Sequence, residues 1–149
     1  VISISLPLRE RNWNTISFAS TLYLCPILDL LLAKIPPELR PEIRLGLQEA
    51  LVNAAKHGNK LDPSKTVVVK FSCKKKEYSW VISDQGSGFI STSESPLDSV
   101  DIPSEDAENG RGFFILHTIF DQVNWNRQGN QLRLCRKLDQ TNNREPLFT

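Results

Sequence analysis

The chain has no methionine and only three cysteines, Cys25, Cys73 and Cys135, among its 149 residues. Their odd number and wide spacing, with no CxxC pair and no Cys/His pattern, argue against both a disulfide framework and a zinc site. Three buried small hydrophobes in a reducing cytosol are expected instead. There is no excess of charge of either sign. Eighteen basic against seventeen acidic residues give +1, so the chain carries no electrostatic footprint for nucleic acid or an anionic membrane. The run Lys74-Lys75-Lys76 reads as a solvated hairpin tip. No apolar run reaches the ~20 residues of a membrane span, and VISISLPLRE lacks a cationic region, a long apolar core and a cleavage site. A soluble, cytoplasmic protein is expected. Internal repeats are absent too, and the length suits one domain with a real core.

What is present is best read from Glu42–Asn59, EIRLGLQEALVNAAKHGN. At ~100° per residue, Ile43, Leu47, Ala50, Leu51 and Ala54 form one narrow apolar stripe, as a core-facing helix requires. Glu49, Asn53 and His57 run at i, i+4, i+8 along the stripe's edge, where a helix meets a cavity. A carboxylate and a carboxamide one turn apart on a rigid element can hold a hard cation or position a water. Pro41 suits the first turn, and Gly58 is expected to end the helix in a left-handed C′ conformation, with His57 capping a carbonyl.

Elsewhere, Ile2, Ile4 and Leu6 alternate with serines as in a half-buried strand closed by Pro7. Trp13 to Ile35 is apolar-rich and reads as helix, kinked or restarted at Pro26. Thr66–Ser72 and Glu77–Ser83 are β-branched and aromatic runs that predict an antiparallel hairpin. The second strand runs into Asp84-Gln85-Gly86-Ser87-Gly88-Phe89, whose glycines either allow a close backbone approach or turn the chain. Residues 90–109 change to Ser, Pro, Asp and Glu, too long for an ordinary connector, and read as a mobile lid or disorder. Gly110-Arg111-Gly112 then opens an apolar helix that turns Phe113, Leu116, Ile119 and Phe120 to the core, with His117 as a partly buried packing residue. Two strands joined by RQGN follow, then a polar tail at 139–149. This order predicts a two-layer α/β sandwich, a mixed and mostly antiparallel sheet covered on one face by helices.

Three separated segments can converge: ExxxN on a helix, DxGxG after a strand, and GxG at a helix start. A glycine-rich turn entering a helix offers free backbone N–H groups and the positive end of the helix dipole to a phosphate. Asp84 can accept a hydrogen bond from an exocyclic amine such as adenine's. Asn53 can place its oxygen on a Mg²⁺ that bridges phosphates, and Glu49 can take a proton from an attacking hydroxyl or water. Arg111, between two glycines, either meets a phosphate or pairs with Glu105 or Glu108.

EALVNAAKHGN resembles the N box, DQGSGF the G1 box and ENGRGFFIL the G2 box of the GHKL ATPase superfamily, which includes gyrase and the histidine kinases. No GxxxxGK[ST] motif is present to compete. Within the superfamily, residues 1–138 resemble the small stand-alone serine kinases that act as bacterial anti-sigma factors. The resemblance implies the Bergerat, or histidine-kinase-like ATPase, fold as a single ATP-binding kinase domain. It implies ATP and Mg²⁺ as cofactors, with Asn53 as the metal ligand and Glu49 as the catalytic base. It further implies Asp84 as the adenine contact, with Gly86 and Gly88 shaping that pocket and Gly110 and Gly112 closing over the phosphates.

Two departures from the family pattern fall near the base: Gln85 stands where many relatives have Asn, and Gly129-Asn130 where many have Gly-Thr. Asn130 can still donate and accept. The implied partners are an anti-anti-sigma protein of the STAS type, phosphorylated on serine, and a sigma factor that is sequestered. A module that binds ATP and sequesters a protein without significant phosphoryl transfer is the alternative. Relatives of this size are often homodimers. Leu45 and Val52, ~160–180° from the core stripe, are open to burial by a partner chain or, more simply, by a packed N-terminal helix.

Overall fold

The computed structural model describes residues 2–5, 13–74, 76–88 and 107–138. The polar tail, most of the expected lid at 90–109, Leu6, Pro7 and Glu105 lie outside these residues. Strands β1 (Ser3–Ser5), β2 (Asn14–Ala19), β3 (Thr66–Lys74), β4 (Glu77–Ser83), β5 (Gln122–Trp125) and β6 (Gln131–Lys137) form one sheet in the order β1-β2-β3-β4-β6-β5. Each neighbouring pair is antiparallel. Helices α1 (Cys25–Leu32), α2 (Arg40–Val52) and α3 (Ala107–Ile119) complete the second layer. Among the described residues no helix is long and apolar enough to cross a membrane.

The first correction is β2. Residues 13–35 were expected as helix, kinked or restarted at Pro26, but Asn14–Ala19 pairs with β1 on one side and β3 on the other. Within NTISFA, Ile16 and Phe18 point into the core while their neighbours stay partly exposed, which is a period of two hidden inside a longer apolar stretch. Pro26 sits in the first turn of α1, so of the two alternatives it marks a helix start and not a kink. At that position its missing N–H would have had no helical partner in any case.

The core lies between one face of the sheet and the helices. Ile16, Phe18, Val67, Val69, Trp80, Ile82, Leu132 and Leu134 meet Leu28, Leu31, Ile43, Leu47, Leu51, Leu116 and Ile119 there. The predicted stripe of α2 is buried throughout. Leu45 and Val52 are partly buried and pack against the same core, so their cover comes from within the chain, the simpler of the two expectations. Gly46 is what lets α3 lie close to α2: a Cβ there would come within 2.8 Å of the Phe120 ring tip. That ring in turn meets Trp80 edge-on at 5.5 Å. Two further expectations change. Cys25 and Cys73 are exposed and only Cys135 is buried, and His117 is exposed on α3.

One buried polar contact joins three elements. Arg136 of β6 points into the core layer, where its Nη1 donates to the carbonyl of Ile119, the last residue of α3. A helix-end carbonyl lacks an intrahelical donor, so the guanidinium satisfies it. Its Nη2 lies 3.2 Å from Glu42 in the first turn of α2, with the two side chains only 10% and 14% exposed. Removing one partner of such a pair strands the other in a poor solvent. Arg136→Met is therefore expected to cost about 3 kcal/mol and to lower Tm by about 10 °C. Adding Glu42→Met should recover part of that, and thermal melts followed by circular dichroism check both.

Candidate nucleotide-binding site

The site is built on the end of α2. Regular α-helix stops at Val52, and Asn53–Gly58 continues as a turn of π-helix. Asn53 stands at the junction, its N–H shared between the carbonyls of Ala50 and Glu49. The turn closes with Asn59 N–H donating to Ala54 O at 2.9 Å and Leu61 N–H to Ala55 O at 2.8 Å. The left-handed residues are Lys60 and Leu61, each at φ 56°, whereas Gly58 is not among the residues with positive φ. Gly58 is needed for another reason: a Cβ there would overlap the Asp84 carboxyl group.

Asp84 follows β4, and its N–H donates to Asn130 O at 2.9 Å. Its Oδ1 accepts from Gly86 N–H at 2.8 Å. Gly86 in turn lies so close to the Gly58 carbonyl that a Cβ would overlap it, and Gly88, at φ 79°, is pressed in the same way against Gln128 O. Both glycines serve close approach, and Gly88, with its left-handed φ, also turns the chain, so both readings of the motif hold. Burial holds the Asp84 carboxyl above its ordinary value, against the opposing pull of the Gly86 N–H and the Lys65 charge.

A cavity of about 280 Å³ opens between these segments. Asn53, His57, Lys60, Asp84 and Ser87 supply polar groups to it, and Ile82, Phe113, Trp125 and Leu132 give it apolar walls. Phe113 and Trp125 are in contact, with ring centroids 5.9 Å apart. A larger cavity, about 530 Å³, lies between α1 and the β1–β4 end of the sheet and contains none of the motif residues. Chemistry, not size, singles out the smaller one.

Of the expected site residues, Asn53, Asp84 and Gly88 line this cavity together. Gly86 supports it from behind through Gly58. Glu49 is half-buried one turn before Asn53, facing α3, where a Cβ on Gly112 would stand 3.2 Å from its Oε2. Gly110, Arg111 and Gly112 do not open α3. The helix begins at Ala107, so the glycines lie inside it, and Arg111 is exposed. The Arg111 alternatives involve Glu105 and the side chain of Glu108, which are outside the described residues. Asn130 is engaged within its hairpin: its Oδ1 accepts from Asn126 Nδ2 at 2.8 Å and its Nδ2 lies 3.5 Å from Gly86 O.

Gln85 turns away from the cavity, its Oε1 accepting from Thr66 N–H at 2.7 Å. Lys60 is a lining residue that sequence reasoning passed over, and His57, expected only as a helix-end cap, lines the cavity as well. His57 had a signal, its place one turn beyond Asn53 on the same helix edge.

A model of the histidine kinase-like ATPase domain matches residues 28–136. The chain belongs to that family. The anti-sigma F factor of Clostridium perfringens, in strains SM101, ATCC 13124 and 13, is 28% identical over 94 residues, which span 62% of this chain and 67% of that protein. As a histidine kinase-like ATPase domain the chain is an ATP-binding fold, and the matched span runs from α1 to β6, taking in every segment of the cavity.

The donor set fits the two groups the family implies. Asp84 Oδ2 has no hydrogen-bond partner among the described residues and can accept from an adenine amine. The Asn53 carboxamide is likewise unengaged among them, and there is no cluster of three His, Cys, Asp or Glu. A single amide oxygen suits Mg²⁺, which keeps waters and takes phosphate oxygens for its other ligands.

The raised pKa of Asp84 has a stability consequence of definite sign. Its protonated form contributes stability that is fully present below the unfolded value and is lost as pH rises through the higher folded one. At neutral pH the ionised carboxylate is a cost. Asp84→Asn is expected to melt above the parent at pH 7, with the gap closing as pH falls into the carboxylate range, as scanning calorimetry across that range will show.

Proposed function

We propose that the chain is an ATP-dependent protein-serine kinase of the anti-sigma type. ATP would lie in the Asn53–Asp84 cavity, and the substrate would be a serine of a STAS-type anti-anti-sigma protein. A sigma factor would be the sequestered partner, in the cytoplasm. The observation that supports this best is the order of groups along one helix edge. Glu49 sits beside Gly112, Asn53 and His57 face the cavity, and Gly58 abuts Asp84. Gly58 lies nine residues beyond Glu49, roughly 13 Å of helix, on the order of the length of a nucleoside triphosphate. Adenine at Asp84 therefore directs the γ-phosphate toward Glu49. The similarity to an anti-sigma F factor supports the choice of partners.

In this reading the Glu49 carboxylate accepts the serine proton as the hydroxyl oxygen bonds to the γ-phosphorus. The bond from that phosphorus to the β–γ bridging oxygen breaks, and ADP leaves with the electron pair. Mg²⁺, when bound, neutralises phosphate charge, and Asn53 would hold it in register. Phe113 and Trp125 exclude water on the apolar side.

A second reading, ATP binding and sequestration without significant transfer, draws on two features. Glu49 faces α3 without lining the cavity, and the Gly110–Gly112 N–H groups belong to a formed helix. Two measurements decide. ATP with Mg²⁺ at about 100 times its Kd is expected to stabilise the fold by about 2.7 kcal/mol, and an unmoved Tm at millimolar ATP defeats both readings. Given binding, Glu49→Ala should slow radiolabel transfer to a STAS partner about 100-fold or more while changing ATP affinity little. Unchanged transfer removes Glu49 as the base, and no transfer by the parent chain leaves sequestration alone.

A further inference from the structure

Asn59, the residue after the π-helical turn, has a side chain with 0% exposure. Its amide uses both ends. Oδ1 accepts from Gln85 N–H at 2.7 Å, while Nδ2 donates to Ser20 Oγ and to Thr66 O, each at 2.9 Å. Gln85 closes the circuit, because its own side chain accepts from Thr66 N–H. One buried carboxamide thus ties the end of the α2 extension, the end of β2, the start of β3 and the loop after β4 into a single network. The two residues beside these anchors are Gly58 and Asp84, where a Cβ on the glycine would overlap the carboxyl group.

We infer that Asn59 is a positioning residue: it clamps the loop after β4 against the end of the helix and so sets where the Asp84 carboxylate presents itself to an exocyclic amine. The inference rests on the nucleotide reading of the cavity. Asp84 is tied to the β5–β6 hairpin by its N–H to Asn130 O, and its Oδ1 is held by Gly86 two residues on in the same loop. On the side of the helix end, the bond from Gln85 N–H to Asn59 is the hydrogen bond among the described residues that joins this loop to the segment carrying Gly58. Asn59 also accounts for the strain that follows it. Two consecutive non-glycine residues, Lys60 and Leu61, take left-handed backbone, and such strain persists only where the surroundings over-determine it. Here Asn59 is anchored through both its backbone and its side chain. A buried network of this kind is worth most when every member is satisfied; here both amide hydrogens of Asn59 and its oxygen have partners.

Asn59 touches no part of the cavity, so its loss should change recognition of the amine specifically. The test compares ATP with purine riboside triphosphate, which lacks the amine, by calorimetric titration in Mg²⁺. The parent chain is expected to prefer ATP by about tenfold to a hundredfold, the range for a hydrogen bond to a charged group. Asn59→Ala should reduce that preference to within about threefold while leaving the affinity for the amine-free nucleotide nearly unchanged. It should add nothing further in an Asp84→Asn background, as coupled residues require.

Equal loss of affinity for both nucleotides, or an intact preference, overturns the inference. Asn59→Ser keeps a smaller polar group if the alanine variant fails to fold, and the same comparison applies to it. Amide hydrogen exchange gives a readout independent of nucleotide. Gln85 N–H should be protected in the parent and lose that protection in either variant, and unchanged protection refutes the clamp even if ATP binds elsewhere or not at all.

Discussion

The site depends on how closely the backbone at the end of one helix can approach the turn at the end of one strand. Gly58 and the Asp84 carboxyl occupy space that a single methyl group would deny them, and Gly86 meets the Gly58 carbonyl in the same way. Removing side chains at two points makes room, and the Asn59 amide then holds the closed arrangement. The carboxylate is therefore both partly desolvated and fixed, the combination that makes a hydrogen bond to an incoming amine stronger than it would be in water. The cavity's apolar walls come from β4, β6, β5 and α3, so it forms only once the sheet order is complete.

The helical layer carries the opposite kind of constraint. α2 and α3 cross where Gly46 admits the Phe120 ring, and their outer ends are joined through Arg136, Glu42 and the Ile119 carbonyl. Glu49 and Gly112 face each other across the same crossing. Their separation is thus governed by core packing, a rigid determinant, and by an ion pair well away from the cavity.

Much of this was legible in the sequence where one physical signal dominated. The stripe of α2, the β3–β4 hairpin and the aspartate after β4 were all read from periodicity and glycine spacing. β2 was not, because a six-residue alternation was embedded in an apolar stretch long enough to read as helix, and strand pairing on both sides decided the outcome. The start of α3 was placed late since two glycines suggest a helix entrance, yet Ala107 begins it. Gly58 was expected to serve conformation and serves proximity instead. Asn59 and Gln85 were out of reach for a different reason: a buried amide network between residues up to 39 positions apart leaves no local pattern.

The π-helical turn has a consequence for chain length. It holds one residue more than an α-helix would use to cover the same path, and such insertions are kept where they aim a side chain. Asn53 and Asn59 are set at either end of this surplus. Deleting a single residue between them would restore regular helix over the same path, leaving Asn59 near its three partners but re-aiming the side chains within the turn, His57 of the cavity lining among them. This segment should therefore accept exchange of its exposed side chains, as at Lys56, far more readily than any change in the number of its residues.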